Sequence, residues 1–578
     1  MATALEALVA KAVAIRDESC AKVDPPLSGL PDPLPLNVTG IPALVLTKEE
    51  CEITETEPIE LVEKMAKGEL TSVTVVKAFL RRAALAQKVV CSFVDKHMFF
   101  VAIGKSDGSI RLVRVYPISP ELNCLTELLW DRAVARATEI DEYFKLTGKT
   151  LGPFHGLPIS SKEHFSVKDR YVNASFVAWA EKKVDRDAHV IEVMESLGAV
   201  LFARSTQPQT IMHVETETVL YGTSYNPYNR NLSCGGSTGG EGALLGFNAT
   251  PLGMGTDIGG SARWPAASNG RYGLRPTAGR VPMGGLIGPT AGAESISGAI
   301  GPLAQSRRTM EYFMKHVIGS KPWITEPGLL PVQWRDQALS SGKLKVGVLW
   351  SDGVVNPLPP VKRALNLVVD ALKKSVPGWD IEVIPWEPKQ HDYAWELTSQ
   401  LYYTDGGEKV LELLASVGEE PLPLTKWILT ENPYVRKQDI HSLWELHTKR
   451  DAYRAMYAEY WNESGKDDGH PADIILCPAA PGVACLHGTA KYWAYTSHWN
   501  FLDYPGAVFP VTTVDQELDM PEKDYTPMND QDKFFYDLYS PEKFVDAPVN
   551  LQLVARRFND DVLLQAMKIV ENALGRDS

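Results

Sequence analysis

One long stretch of this 578-residue chain has no lysine: none occurs between Lys183 and Lys315. The stretch contains the most glycine-rich part of the sequence. The gap excludes a phosphate loop there, because that motif needs a lysine to meet the phosphates. Cysteine is scarce and odd in number, with seven residues and no CxxC pair. That excludes a disulfide scaffold and gives no zinc-ligand spacing. No run of about 18 apolar residues occurs, so no membrane span is expected. The first twenty residues carry Glu6, Lys11, Arg16, Asp17 and Glu18 among their apolar positions, which does not read as a secretory signal. The final Gly575-Arg-Asp-Ser578 matches no common retention or peroxisomal tail. Basic residues are outnumbered 58 to 72, a net charge of −14. A protein built to grip nucleic acid or anionic lipid needs the opposite balance. A soluble cytoplasmic protein is expected.

The composition is that of a globular chain, 44% hydrophobic and 22% charged. Residues 1–55 read as an N-terminal strap rich in proline, with Pro25, Pro26, Pro31, Pro33, Pro35 and Pro42 holding 21–58 extended. Helical spacing follows over Ile59–Lys67, Ser72–Gln87 and Cys124 to about Leu146. Between the last two, residues 91–122 form an atypical insert with two strand-like runs, Met98–Ile103 and Ile110–Tyr116, around a turn-like Lys105-Ser-Asp-Gly108. It reads either as a genuine surface hairpin or as translated non-coding sequence.

Beyond residue 150, strands, helices and glycine loops alternate. Strands are expected at Lys345–Trp350, Ile381–Ile384, Ile474–Leu476, Ala507–Val511 and Val549–Val554. Helices are expected at Val361–Lys374, through much of 392–465, and at Asp560–Leu574. Such alternation predicts an α/β architecture.

Between Gly235 and Gly260 there are ten glycines in 26 residues. A dinucleotide fingerprint fails on spacing, since Gly253-Met-Gly255 is followed by glycine only at Gly259. Gly235-Gly-Ser-Thr-Gly239 matches the GxSxG elbow in form, but the polar Asn229–Ser233 precedes it where a hydrophobic strand is required. Two readings stay open. In Asp257-Ile-Gly-Gly-Ser261, small residues free consecutive N–H groups to converge on one point, a nest for an oxyanion with Ser261 as the nucleophile beside it. Alternatively these are tight turns serving a buried sheet.

A nucleophilic serine needs a base. His155, His164, His213, His487 and His498 are candidates by residue type alone. Lys162 is another, because it ends the apolar run Gly156-Leu-Pro-Ile-Ser-Ser-Lys162 and lysine is rarely buried without a role or a partner. The SxxK spacings at Ser340/Lys343 and Ser540/Lys543 lie in polar connectors and read as chance.

Together, Gly156–Lys162 and the long segment from Gly235 to about Gly279 resemble the amidase signature family. The acetamidase-type amidases of fungi are most similar, through Gly68-Glu-Leu-Thr-Ser72 and Asn231-Leu-Ser-Cys-Gly-Gly236. The resemblance spans about residues 50–575. It implies an α/β amidase-signature fold, a central mixed sheet covered by helices on both faces. The expected domain covers 56–575, with a signature core at about 150–320 and a helical and C-terminal part at about 340–575.

The resemblance also implies amide hydrolysis through an acyl-enzyme, with no metal or cofactor. Lys162 would be the base, Ser237 the bridging serine behind a cis Gly236–Ser237 peptide, and Ser261 the nucleophile. The backbone of Ile258, Gly259, Gly260 and Ser261 would bind the oxyanion. Ile211, Met212 and His213, with Ser237, would lie against substrate. Asp257 and Arg263 flank the nucleophile and are expected to pin the loop as an ion pair rather than to react. The expected partner is a small-molecule amide; a homodimer is left open. Two rival readings are a glutamine-amidotransferase-type subunit and a non-catalytic binding protein on the same fold.

Overall fold

The computed structural model describes residues 4–89, 99–104, 110–115, 122–339, 342–374 and 376–576. Eleven strands form one mixed sheet. From one edge to the other they are Asp380–Pro385, Lys343–Val348, Ile474–Pro478, Pro548–Ala555, Gly506–Thr513, Tyr272–Arg275, Ala299–Ala304, Leu252–Asp257, Pro158–Lys162, Val200–Ser205 and Leu125–Leu128. Pro158–Lys162 runs parallel to both of its neighbours, with Ser160 opposite Gly253 and Ser161 opposite Met254. Lys162 and Asp257 therefore end adjacent parallel strands on the same, carboxyl-terminal side of the sheet. Open α/β sheets place their ligands there, beyond the carboxyl ends of the strands.

Helices flank this sheet, as expected. Ser72–Lys88 is buried along most of its length, Phe79, Leu80 and Ala83–Ala86 included, and Pro359–Leu372 and Asp560–Ala573 bury Val361, Leu365, Leu563 and Leu564. The main core joins these faces to the sheet through Ile159, Leu201, Phe202, Leu551 and Leu553. A second core is aromatic and lies beside the strand ends. Trp386, Tyr453, Tyr457, Trp461, Trp493 and Trp499 pack there with Tyr402.

Two expectations are corrected. The stretch expected as helix from Cys124 begins with a strand, Leu125–Leu128, and the helix runs from Trp130 to Thr147. All four strand residues are buried. Helical spacing of leucines cannot be told from an all-buried edge strand in so short a run. The N-terminal strap is extended only over about 22–41. Ala4–Ala21 is a helix of 18 residues and Lys48–Glu55 is another, started by a capping box between Thr47 and Glu50. In the insert, Phe99–Gly104 pairs antiparallel with Ile110–Val115, Phe99 opposite Val115. The expected strand ends Met98 and Tyr116 and the turn at 105–108 lie outside the described residues. No described helix is long and apolar enough to cross a membrane.

The second core contains a pair of stacked imidazoles. His391 and His498 lie 3.7 Å apart at 13°, each about 3% exposed, and none of their four ring nitrogens has a partner among the described residues. Burial lowers His391 to about 3 and His498 well below its ordinary value. Both are neutral in the fold but protonate in the unfolded chain below about pH 6.5. Their stability contribution is therefore complete above that pH and is lost as the pH falls, for His391 down to about 3. His391 costs about 1.4 kcal/mol per pH unit in that window, and His498 acts in the same direction. Thermal melts of a His391→Phe/His498→Phe double variant are expected to decline less between pH 7 and 5 than those of the wild type.

Candidate active site

Lys162 is fully buried. Its Nζ lies 2.6 Å from Ser237 Oγ and 3.1 Å from Thr256 Oγ1. Burial lowers its amine to about 7, against the opposing pull of Asp257. Such an amine is largely neutral just above neutral pH and can accept a proton. Thr256 also meets His164 Nε2 at 3.1 Å, and His164 Nδ1 sits 3.0 Å from the Ile287 carbonyl. The carbonyl can accept only from a protonated Nδ1, so Nε2 takes the Thr256 hydroxyl proton. Burial first, then Lys162, hold His164 well below its ordinary value and hence neutral.

The Gly236–Ser237 peptide is cis. The turn is tight: a Cβ on Gly236 would fall 2.6 Å from both the Glu215 nitrogen and the His213 carbonyl oxygen. The Thr238 N–H donates to the Ser261 carbonyl at 3.1 Å, which ties the Ser237 turn to the Ser261 loop. Ser261 is 7% exposed, and its Oγ has no hydrogen bond among the described residues. It borders a small open cleft with Met212, His213, Val214, Ile258, Gly259, Tyr402 and Trp493.

Asp257 organises the loop. Its carboxylate takes two N–H groups of Arg263, Nε and Nη2, each at 3.0 Å. It also accepts from the backbone N–H of Gly260 at 2.8 Å and of Ala262 at 3.2 Å. Arg263 reaches on to Gln552 and Asn500, both at 2.6 Å. Burial would raise the Asp257 carboxyl, but the Arg263 guanidinium outweighs it and holds the group well below the ordinary carboxylate range. The pair thus draws its strong partners from within the fold, the loop backbone at Gly260 and Ala262 among them.

Of the nest expected at 258–261, the Gly260 N–H is committed to Asp257. Those of Ile258, Gly259 and Ser261 are not committed among the described residues.

The other expected residues are dispersed. Met212 and His213 border the cleft, whereas Ile211 packs into the second core. His213 is lowered to about 3 by burial, and neither ring nitrogen has a partner among the described residues. His155 accepts from the Leu151 N–H, His487 faces Glu215, and His498 stacks on His391. None of the five candidate histidines bonds to Ser237 or Ser261 among the described residues. Thr256, Tyr402 and Trp493 were not singled out from the sequence. Thr256 sits within the glycine-rich text and could have been found there; the other two carry no local signal.

A family model described as amidase matches residues 111–564, more than three quarters of the chain. The chain belongs to the amidase family. A Schizosaccharomyces pombe protein named putative amidase is 44% identical over 545 residues, 94% of each chain. The acetamidase of Emericella nidulans is 34% identical over 538 residues, 92% of this chain and 91% of its own. Among solved structures, a fatty acid amide hydrolase superposes with a TM-score of 0.87 at 34% identity, over 99% of this chain and 95% of that one. A bacterial aryl acylamidase shares the fold at a TM-score of 0.66 and 18% identity. This amidase is therefore an amide hydrolase of the amidase signature family, with the mixed-sheet fold its sequence implied.

Proposed function

We propose that this amidase cleaves carboxylic amides to acid plus ammonia or amine through an acyl-enzyme on Ser261, with Ser237 and Lys162 as its proton relay. The observation that carries the reading is a buried amine, lowered to about 7, held 2.6 Å from a serine hydroxyl. Neutral Lys162 takes the Ser237 proton and Ser237 takes that of Ser261. The Ser261 side chain closes the second link by rotating towards Ser237 when substrate binds; catalytic hydrogen bonds commonly tighten only in the complex.

Ser261 Oγ then attacks the amide carbonyl. The oxyanion is received by the uncommitted N–H groups of Ile258, Gly259 and Ser261, while Gly260 spends its own on Asp257. A donor of this kind is typically worth about 3–4 kcal/mol of barrier. The proton returns along the relay to the leaving nitrogen, the C–N bond breaks, and ammonia or amine departs. Water, deprotonated by the same relay, hydrolyses the ester.

Short acyl groups are the first expected substrates. Met212, Val214, Ile258, Tyr402 and Trp493 crowd the space beside Ser261, and the similar proteins include acetamidases. The test is a panel of acetamide, benzamide and a long-chain primary amide, followed by ammonia release, with acid-quenched samples taken during turnover for peptide mass analysis. The expected result is release fastest from the short amide and an acyl mass increment on the peptide holding Ser261. An increment on another residue would refute the mechanism, and fastest release from the long-chain amide would refute the acyl-size reading.

A further inference from the structure

Three successive carbonyls before the nucleophile are each held by a side chain from outside the glycine-rich segment. Asn500 Nδ2 donates to the Asp257 carbonyl at 3.3 Å. The Tyr402 hydroxyl donates to the Ile258 carbonyl at 2.6 Å. Thr496 Oγ1 lies 2.7 Å from the Gly259 carbonyl and 3.0 Å from that of Trp493, so its one proton favours the shorter contact, to Gly259. Tyr402 ends the helix His391–Tyr402, and Thr496 and Asn500 lie one turn apart on the helix Ala494–Leu502. The two helices pack against each other in the second core.

In a trans peptide the C=O and the following N–H point in opposite directions. Fixing the carbonyls of 257, 258 and 259 therefore fixes the N–H vectors of 258, 259 and 260. Glycine at 259 and 260 cannot do this alone, since glycine is the residue most free to turn. We infer that Tyr402 and Thr496 are positioning residues for the oxyanion nest, aiming the Gly259 and Gly260 N–H groups opposite to the carbonyls they hold, Gly259 to the substrate oxygen and Gly260 to Asp257.

This rests on the nest reading above. Tyr402 suits the task because burial, then Asp257, raise its phenol, so the hydroxyl keeps its proton and remains a donor. The same residue borders the cleft, and a side chain on Gly259 would meet its hydroxyl at 2.6 Å. The space is shaped to bring that hydroxyl onto the loop.

The test is steady-state kinetics on one primary amide with Tyr402→Phe, Thr496→Val and Thr496→Ser, beside Ser261→Ala and thermal melts. A boronic acid that forms a tetrahedral adduct with a serine, and the carboxylate product, serve as the two binding probes. Tyr402→Phe and Thr496→Val are each expected to lower kcat about ten-fold while KM stays within about two-fold. Boronate affinity should weaken in step with kcat, and product affinity should not change. Thr496→Ser should recover most of the loss, because it keeps the donor.

Wild-type kcat in Tyr402→Phe would overturn the inference. So would equal weakening of boronate and product, or a Thr496→Ser variant as poor as Thr496→Val. Failure of the underlying reading looks different: Ser261→Ala would remain active, or the boronate would not bind the wild type.

Discussion

Replacing Ser261 with alanine is expected to reduce amide turnover by roughly 10⁴- to 10⁶-fold, the range seen when a serine nucleophile is removed. That corresponds to about 5–8 kcal/mol of transition-state stabilisation. The fold should tolerate the change. Ser261 Oγ makes no hydrogen bond among the described residues, and the backbone contact from Thr238 to the Ser261 carbonyl does not involve the side chain. Lys162 and Ser237 keep their 2.6 Å contact, so the relay remains intact but has nothing to activate. The check is ammonia release at matched concentration with a melt alongside. A melting temperature close to wild type with turnover at background is the expected pair of results. Turnover above about 1% of wild type would move the nucleophile elsewhere.

Lys162→Met is expected to separate activity from stability. Methionine is close to lysine in length and cannot accept the Ser237 proton, so turnover should fall by at least about 10³-fold. Lys162→Arg should fare no better, because a guanidinium does not become neutral near physiological pH. In the wild type, kcat/KM should rise about ten-fold per pH unit below 7 and level off above, as the amine lowered to about 7 loses its proton.

The stability effect has the opposite sign. In the unfolded chain the amine stays protonated up to about pH 10.4. Between pH 7 and that value the unfolded state binds the extra proton. The wild type is therefore penalised near neutrality and gains stability as the pH rises. Lys162→Met has no such penalty and should melt higher than wild type at pH 7, by up to roughly 4 kcal/mol at the bound set by the shift alone. Activity lost together with stability would mean that Lys162 serves as a structural cation. Activity retained would refute the relay.

Much of this protein was legible in its sequence because the signals were local. The strand Ile474–Pro478 and the helices Pro58–Ala66 and Ser72–Lys88 follow from short-range apolar spacing, and they appear within a few residues of expectation. The segment Asp257–Ser261 was conspicuous because it closes a stretch with ten glycines in 26 residues. Leu125–Leu128 was misread because its burial comes from the partner strand Val200–Ser205, about 75 residues away, which local periodicity cannot register. The N-terminal helix Ala4–Ala21 was also missed, since its apolar residues form no clear stripe and proline dominates the residues after it.

Taken alone, the sequence determined the segments to look in, because glycine-rich loops and a lysine closing an apolar run are written in consecutive residues, and its resemblance to the amidase signature family implied the class of chemistry. It also determined the α/β architecture, through alternation of strand and helix patterns. Tertiary structure decided whether Lys162 could be a base at all. Its amine is lowered by burial, at the end of a strand paired with Leu252–Asp257 and beside Thr256 and the Ser237 turn. Tertiary structure also decided which N–H groups of the nest are available, since Asp257 takes that of Gly260 while Tyr402, Thr496 and Asn500 hold the carbonyls. These are effects of desolvation and of direction, and both depend on groups distant in the chain that only folding brings together.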